Sequence, residues 1–201
     1  MSGPWIKVCG ITTPEAVNAA AGAGVDAVGF VFAESPRRVT PERAFRLAAS
    51  VRGKVACCAV VRRTSQAEVD EILRVLRPDM LQVDVGELCS LRLPRTLQVL
   101  PVLSTRAPPQ DAPSGRVLLE RPPADDRSPW DEPGIRSLAR RTRLVLAGGL
   151  DAGNVGQLVR AFAPWGVDVS RGVEVAPGIK GHDLIRQFAQ AARTIHGAIA
   201  I

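Results

Sequence analysis

The stretch WIKVCGITTPE, residues 5–15, decides the fold of this chain. Its apolar first half predicts a β-strand over Trp5–Cys9. Its second half predicts a helix for which Thr13 is the N-cap and Pro14 the first helical residue. A strand that passes through a glycine turn into a helix is the unit of parallel α/β folds. In a closed barrel of such units the carboxyl end of each strand faces the mouth, so Cys9 is a candidate for chemistry. The alternative is that Cys9 is a small buried apolar residue, as many lone cysteines are.

The same alternation of short apolar strands and amphipathic helices continues along the chain. Helix starts of the same kind occur at Thr40-Pro41 and at Ser65, and Asp183–Arg193 carries an apolar stripe at helical spacing. Most of the strands are apolar on both faces, which is typical of a buried parallel sheet. The predicted strands are Trp5–Cys9, Ala27–Phe32, Val55–Val61, Met80–Asp84, Gln98–Val102, Val117–Glu120, Leu144–Ala147 and Val167–Ser170.

One part of this pattern is irregular. Proline is dense between Ser104 and Pro133, and proline is unfavourable inside helices. We therefore expect irregular or missing helices around residues 104–133. Eight strands with their crossovers need only one domain, so the sequence predicts a single-domain α/β fold, a (β/α)8 TIM barrel over residues 1–201.

Composition limits the classes of function. The chain has 201 residues with a formal net charge of +6. Its arginines are scattered and only 4% of its residues are aromatic, so a nucleic-acid surface with stacking residues is not indicated. No run approaches the ~20 apolar residues that span a bilayer, and no signal-peptide pattern is present. The cysteines have neither metal-site nor disulfide spacing, so we expect free thiols and a cytoplasmic protein.

Two neighbouring strand ends predict a phosphate site. Gly148 and Gly149 follow the seventh strand, and Ser170, Arg171 and Gly172 follow the eighth. Glycines at a strand end let backbone N–H groups approach an anion, and a following helix adds its positive N-terminal dipole. In (β/α)8 barrels these two loops often bind phosphate together. The alternative is that the glycines serve only tight turns.

Motifs at both ends of the chain occur in a recognisable order. They are Lys7–Thr12, Val28–Phe32, Ser35–Arg37, Leu81–Val83, Gly148–Leu150, Asn154-Val155, Val167–Ser170, Gly172–Glu174 and Pro177–Lys180. In this order they resemble the N-(5'-phosphoribosyl)anthranilate isomerases of tryptophan biosynthesis. The resemblance implies a (β/α)8 barrel that converts an aminoaldose phosphate to an aminoketose phosphate, an Amadori rearrangement, without metal or cofactor. It also implies a small phosphorylated substrate with neither nucleic acid nor membrane as a partner, and leaves open whether the protein is a monomer or a homodimer.

The resemblance implies roles for particular side chains. Cys9 would be the general base that removes the proton from C2' of the sugar. Arg37 would bind the anthranilate carboxylate through its planar guanidinium fork. The two glycine loops would bind the phosphate. Lys7 faces the same way as Cys9, so it either adds to the field at the site as a substrate-binding group or is a buried structural cation.

The chain departs from the family's pattern at the mouth. The family's general acid is an aspartate that closes the sixth strand. Here Glu120 stands in that position, and its extra methylene displaces the carboxyl by about 1.5 Å. The loop after it, residues 121–130, lacks the family's glycines. Asp84 replaces a histidine after the fourth strand, which drift in a variable loop explains adequately, and Arg171 replaces a serine in the eighth loop.

Two alternatives to the family's activity stay open. A related isomerase that acts on a different phosphoribosyl amine would account for the altered mouth. A barrel that binds a phosphorylated ligand without catalysis would account for the lost aspartate. The interpretation that accounts for Cys9, Arg37 and both phosphate loops together is a working isomerase in which Glu120 is a substituted general acid.

Overall fold

The structure is a computed structural model that describes residues 3–104, 113–121 and 131–194. Eight parallel strands close into a barrel in which each strand pairs with the next and the last pairs with the first. They are β1 (Trp5–Cys9), β2 (Ala27–Val31), β3 (Ala56–Val60), β4 (Met80–Asp84), β5 (Gln98–Ser104), β6 (Arg116–Glu120), β7 (Arg143–Ala147) and β8 (Gly166–Val169). Each of the predicted strands is present, with only small shifts at the ends, so the predicted (β/α)8 barrel is confirmed.

Helices surround this barrel, and those at Thr13, Thr40 and Ser65 start where the local sequence predicts. In the described part of the chain they are α1 (Pro14–Gly22), α2 (Pro41–Ala48), α3 (Gln66–Val75), α4 (Glu132–Arg141), α5 (Val155–Phe162) and α6 (His182–Arg193). The Thr13 hydroxyl accepts a hydrogen bond from the Ala16 N–H at 3.2 Å. Ser65 and Glu68 form a reciprocal capping box at the start of α3. Each cap satisfies N–H groups that the first helical turn leaves without an internal partner.

The middle of the barrel is less regular than its ends. The connection from β4 to β5 contains a short 3-10 helix, Val85–Ser90, where other units carry an α-helix. The sequence predicts irregular or missing helices around residues 104–133; residues 105–112 and 122–130 of this region lie outside the described residues, and a helix, α4, begins at its end, at Glu132. The 121–130 loop, apart from Arg121, lies outside the described residues.

Alternation of side chains decides which residues face the inside of the barrel. In β1, Ile6 and Val8 belong to the main core between the barrel and the helices. Trp5 packs instead against a cluster inside the barrel that β5, β6 and β7 supply. Lys7 and Cys9 lie two and four residues further along the same face, so they point inward as well. The inward face of β1 thus carries the Lys7 cation inside the barrel and the Cys9 thiol closer to the mouth.

A short antiparallel hairpin, β9 (Glu174–Ala176) and β10 (Ile179–Lys180), follows β8. Periodicity does not predict strands as short as these. The Thr12 hydroxyl donates to the Gly178 carbonyl at 2.7 Å, which joins the hairpin to the loop after β1. The hairpin therefore carries Glu174 and Lys180 to the mouth. None of the helices in the described ranges is long and apolar enough to cross a membrane.

Candidate active site

Cys9 lies at the carboxyl end of β1, with 7% of its surface exposed. Its neighbour on β2 is Gly29. A β-carbon on Gly29 would stand 3.0 Å from the Cys9 sulfur, so glycine leaves room for the thiol. The Gly29 carbonyl accepts hydrogen bonds from the N–H groups of Gly10 and Ile11 at 2.9 and 3.0 Å. These bonds fix the turn that ends β1 and hold Cys9 at the opening of the barrel.

A buried ion pair lies directly below this thiol. Lys7 is fully buried, and its Nζ is 2.8 Å from Oδ1 of Asp168, which is opposite it on β8. A side-chain hydrogen bond from Lys7 also lowers the pKa of the Cys9 thiol. The ion pair favours the structural-cation alternative for Lys7, and a direct contact between Lys7 and the substrate stays a prediction.

Opposing effects set the pKa of the Cys9 thiol. Burial raises the pKa, Lys7 and Lys180 lower it, and Asp168 raises it. The net shift is upward because desolvation penalises the thiolate more than the two cations stabilise it. For Lys7, burial by itself would lower the pKa, but the negative charge of Asp168 and of the nearby thiols raises it above its ordinary value. Lys7 is therefore a constant positive charge beneath the thiol.

Arg37 belongs to a second ionic cluster, on the hairpin side of the mouth. Its Nε and Nη2 donate to the two carboxylate oxygens of Glu174, each at 2.7 Å. Glu174 also accepts a hydrogen bond from Lys180 at 2.9 Å. The hydrogen bond to Glu174 raises the pKa of Arg37, and burial lowers the pKa of Lys180. The sequence analysis missed Glu174 as the partner that fixes the Arg37 fork, because the two residues are far apart in the chain.

The two glycine loops are in contact with each other at the mouth. A β-carbon on Gly172 would lie only 1.9 Å from the carbonyl oxygen of Leu150, so the eighth loop presses on the seventh. Lys180 donates to the carbonyl and to the hydroxyl of Ser170 at 2.9 and 3.3 Å. Arg171 is exposed in a 3-10 turn beside them. The predicted phosphate residues of the eighth loop are therefore adjacent to a cation from the hairpin.

Gly148 and Gly149 form the turn after β7. The side-chain amide of Asn154, just before α5, donates to the Gly149 carbonyl at 2.7 Å. The Asp151 carboxylate accepts from the backbone N–H groups of Gly153 and Asn154 at 2.8 and 3.0 Å. The loop is thus held by its own polar groups against the start of α5, where the helix dipole favours an anion.

Glu120 lies at the end of β6 on the face that points into the barrel. Leu118, two residues earlier, packs in the interior cluster, whereas Val117 and Leu119 pack outward against α4. The Glu120 carboxylate accepts from Arg62 at 2.8 Å and from the Ser104 hydroxyl at 3.4 Å. Arg62 stands just beyond β3. The sequence analysis missed it, although a charged side chain directly after an apolar strand was the available signal.

Electrostatic coupling joins the two sides of the mouth. Burial raises the pKa of Asp168, Lys7 opposes that shift, and the charge of Glu120 adds to it. Asp168 also acts on Cys9. The structure thus brings Cys9 and Glu120 to one opening, with Asp168 within electrostatic reach of both.

Comparison with known proteins gives a consistent result. A family model described as N-(5'phosphoribosyl)anthranilate (PRA) isomerase matches residues 6–191. The chain is 37% identical to the N-(5'-phosphoribosyl)anthranilate isomerase of Mesorhizobium japonicum, over 94% of each chain. Its fold is similar to the crystal structure of TrpF from Jonesia denitrificans, with a TM-score of 0.79 and 36% identity over 96% of this chain and 98% of that one. It is also similar to the structure of monomers of the dimeric phosphoribosylanthranilate isomerase from Thermotoga maritima, with a TM-score of 0.76 and 26% identity over 94% and 98% of the two chains.

Proposed function

Because this chain belongs to the N-(5'-phosphoribosyl)anthranilate isomerase family, we propose that Cys9 and Glu120 are the general base and general acid of its reaction. The reaction is the Amadori rearrangement of an aminoaldose phosphate to an aminoketose phosphate in tryptophan biosynthesis. The observation that carries the proposal is that both groups stand on inward faces at the carboxyl ends of their strands. That is the end of a (β/α)8 barrel where catalytic groups lie.

The proton transfers follow from these two positions. Glu120 donates a proton to the furanose ring oxygen, the ring C–O bond breaks, and the nitrogen lone pair forms the C=N bond of a protonated Schiff base. Cys9, as the thiolate, then removes the proton from C2', and the electrons of that C–H bond flow toward the positive nitrogen. The resulting enolamine tautomerises to the ketone. Lys7 supports the second step, because a fixed cation beneath Cys9 stabilises the thiolate.

We assign substrate binding to two parts of the mouth: the glycine-rich loops after β7 and β8, and the ionic cluster that contains Arg37. Gly148, Gly149, Ser170, Arg171 and Gly172 would bind the phosphate through backbone N–H groups, with Arg171 adding a charge-assisted bond. Arg37 would bind the anthranilate carboxylate. Since Glu174 occupies its Nε–Nη2 edge, the substrate would meet the Nη1 side of the guanidinium.

Replacing Glu120 by glutamine tests the acid assignment. We expect Glu120→Gln to lower kcat by about a hundredfold, at the low end of the range for general acids. The reason for the low end is exposure: the Glu120 side chain is 39% exposed, so water can supply part of the missing proton. The measurement is steady-state turnover of N-(5'-phosphoribosyl)anthranilate. Glu71→Gln, an equal change in a surface ion pair on α3, serves as the control and should leave kcat unchanged. Unchanged turnover in Glu120→Gln would reject the acid role.

The same variant reveals the titration of the base. Burial raises the pKa of Cys9, so at neutral pH most of the thiol is protonated and the thiolate fraction grows with pH. We therefore expect kcat/KM of Glu120→Gln to rise with pH by up to about tenfold per unit above neutrality, as the Cys9 thiolate fraction grows. A flat profile in the variant contradicts Cys9 as the base.

We also propose that residues 1–201 form one domain that acts in the cytoplasm as a monomer or a homodimer. One chain supplies every side chain of the two ionic clusters and the buried pair. We therefore expect the kcat per chain not to change with protein concentration.

A further inference from the structure

Arg62 lies at the centre of a cluster that spans four strand ends. Its Nη2 is 2.8 Å from the Glu120 carboxylate and 3.5 Å from the Ser104 hydroxyl, and its Nε is 3.2 Å from the Asp84 carboxylate. These residues stand at or just beyond the ends of β3, β4, β5 and β6. One guanidinium thus joins the proposed acid to a carboxylate two strands away.

Stability does not explain this arrangement. The side chains of Arg62, Asp84 and Glu120 are 48%, 29% and 39% exposed. Ion pairs with that much exposure contribute little to stability, since water screens them. What a planar guanidinium does contribute is direction, because its N–H groups leave at fixed angles and hold two acceptors in one plane. The expected effect of the cluster is therefore on the orientation of Glu120.

We propose that Arg62 is a positioning residue that holds the Glu120 carboxyl in the pose for proton transfer, and that Asp84 anchors Arg62. The proposal rests on the proposed role of Glu120 as the acid. Glutamate has one more rotatable bond than the aspartate it replaces, and a misplacement of about 1 Å costs on the order of a hundredfold in rate. Arg62 removes that freedom at the carboxyl itself.

The same contact also stabilises the product of the proton transfer. When Glu120 donates its proton to the ring oxygen, it becomes a carboxylate that faces Arg62 at hydrogen-bond distance. A preorganised donor aimed at a developing charge lowers the barrier to the step. Other charges near Glu120 are the carboxylates of Asp84 and Asp168, which act in the opposite sense. Arg62 is a cation in direct contact with both Glu120 and Asp84, whereas Lys7 pairs with Asp168.

Asp84 takes part through Arg62. Burial raises the pKa of Asp84, and the charge of Arg62 opposes that shift. The two departures from the family's pattern, Asp84 and Glu120, are thus joined through Arg62 in the structure. The interpretation of Asp84 as drift in a variable loop leaves this contact unexplained.

A double-mutant cycle tests the proposal. Turnover is measured for the wild type, Arg62→Gln, Glu120→Gln and the double variant. We expect Arg62→Gln to lower kcat by about 10- to 100-fold, with a change in KM of less than about threefold, since the contact orients the acid and does not bind the substrate. In the Glu120→Gln background the same substitution should change kcat by less than about twofold, because no acid remains to be positioned.

Three further variants sharpen the cycle. Arg62→Lys keeps the charge without the fork and should recover only part of kcat. Asp84→Asn should lower kcat by a smaller factor than Arg62→Gln, and should have no effect once Arg62 is glutamine. Arg63→Gln is the control, because it removes the charge of the neighbouring residue. The backbone N–H of Arg63 donates to Glu87. The kcat of this variant should match that of the wild type.

The outcomes separate this proposal from the assignment of the acid. An equal loss from Arg62→Gln with Glu120 present and with Glu120 replaced overturns the positioning role and leaves the acid intact. A rise in KM at unchanged kcat also overturns it, because Arg62 would then bind substrate. If Glu120→Gln by itself retains full turnover, the acid assignment fails first. The melting temperature of each variant checks that the substitution has not destabilised the fold.

Discussion

Replacing Cys9 by alanine should lower kcat by about 10³- to 10⁴-fold, the upper part of the range for loss of a general base. The thiol is 7% exposed and lies against Gly29, so bulk water has little access to remove the C2' proton in its place. This is the reason for a larger loss than at the more exposed Glu120. Steady-state turnover of N-(5'-phosphoribosyl)anthranilate measures it.

A second buried thiol provides the matched control. Cys57 is fully buried, but it belongs to the core outside β3 and not to the barrel interior. Cys57→Ala removes the same atom with a similar packing cost and should leave kcat within about twofold of the wild type. If Cys9→Ala retains more than about a tenth of the wild-type kcat, Cys9 is not the base. Cys9 would then be better described as a small buried apolar residue.

The sequence predicts the scaffold well because the scaffold depends on local rules. Apolar runs of strand length and caps such as Thr13 and Ser65 act within a few residues, and both appear in the structure as expected. The inward position of Cys9 also follows from alternation along a single strand. The hairpin after β8 and the 3-10 connection after β4 do not follow, because neither is long enough to show a period.

The ionic partners at the mouth could not be predicted for a different reason. Arg37 and Glu174 are 137 residues apart, and Arg62 and Glu120 are 58 apart. Closure of the barrel brings each pair together, and which charges then meet depends on the stagger of the strands. Sequence reasoning identified Arg37 and Glu120 from resemblance to a family, but it gave neither of them a partner. These partners matter for the chemistry. Arg62 contacts the carboxyl of the proposed acid, and Glu174 occupies the Nε–Nη2 edge of the Arg37 guanidinium.

The buried pair of Lys7 and Asp168 is expected to have the largest effect on stability. Asp168→Ala leaves the Lys7 ammonium fully buried without its counter-charge, and breaking such a pair typically costs about 3 to 5 kcal/mol of unfolding free energy. Urea unfolding at neutral pH measures this cost as a lower midpoint. The loss should be far larger than that of Asp183→Ala, which breaks an exposed ion pair with Arg186 on α6.

The double variant Lys7→Met/Asp168→Ala distinguishes a lost ion pair from a lost volume. With the cation removed as well, no uncompensated charge remains inside the barrel, and replacing a buried pair by apolar groups is often close to neutral. We therefore expect the double variant to be more stable than Asp168→Ala, although it has one more substitution. A double variant as unstable as the single one would mean that packing at β8, and not the charge on Lys7, sets the cost. Its turnover should still be low, because the cation that stabilises the Cys9 thiolate has been removed along with the pair.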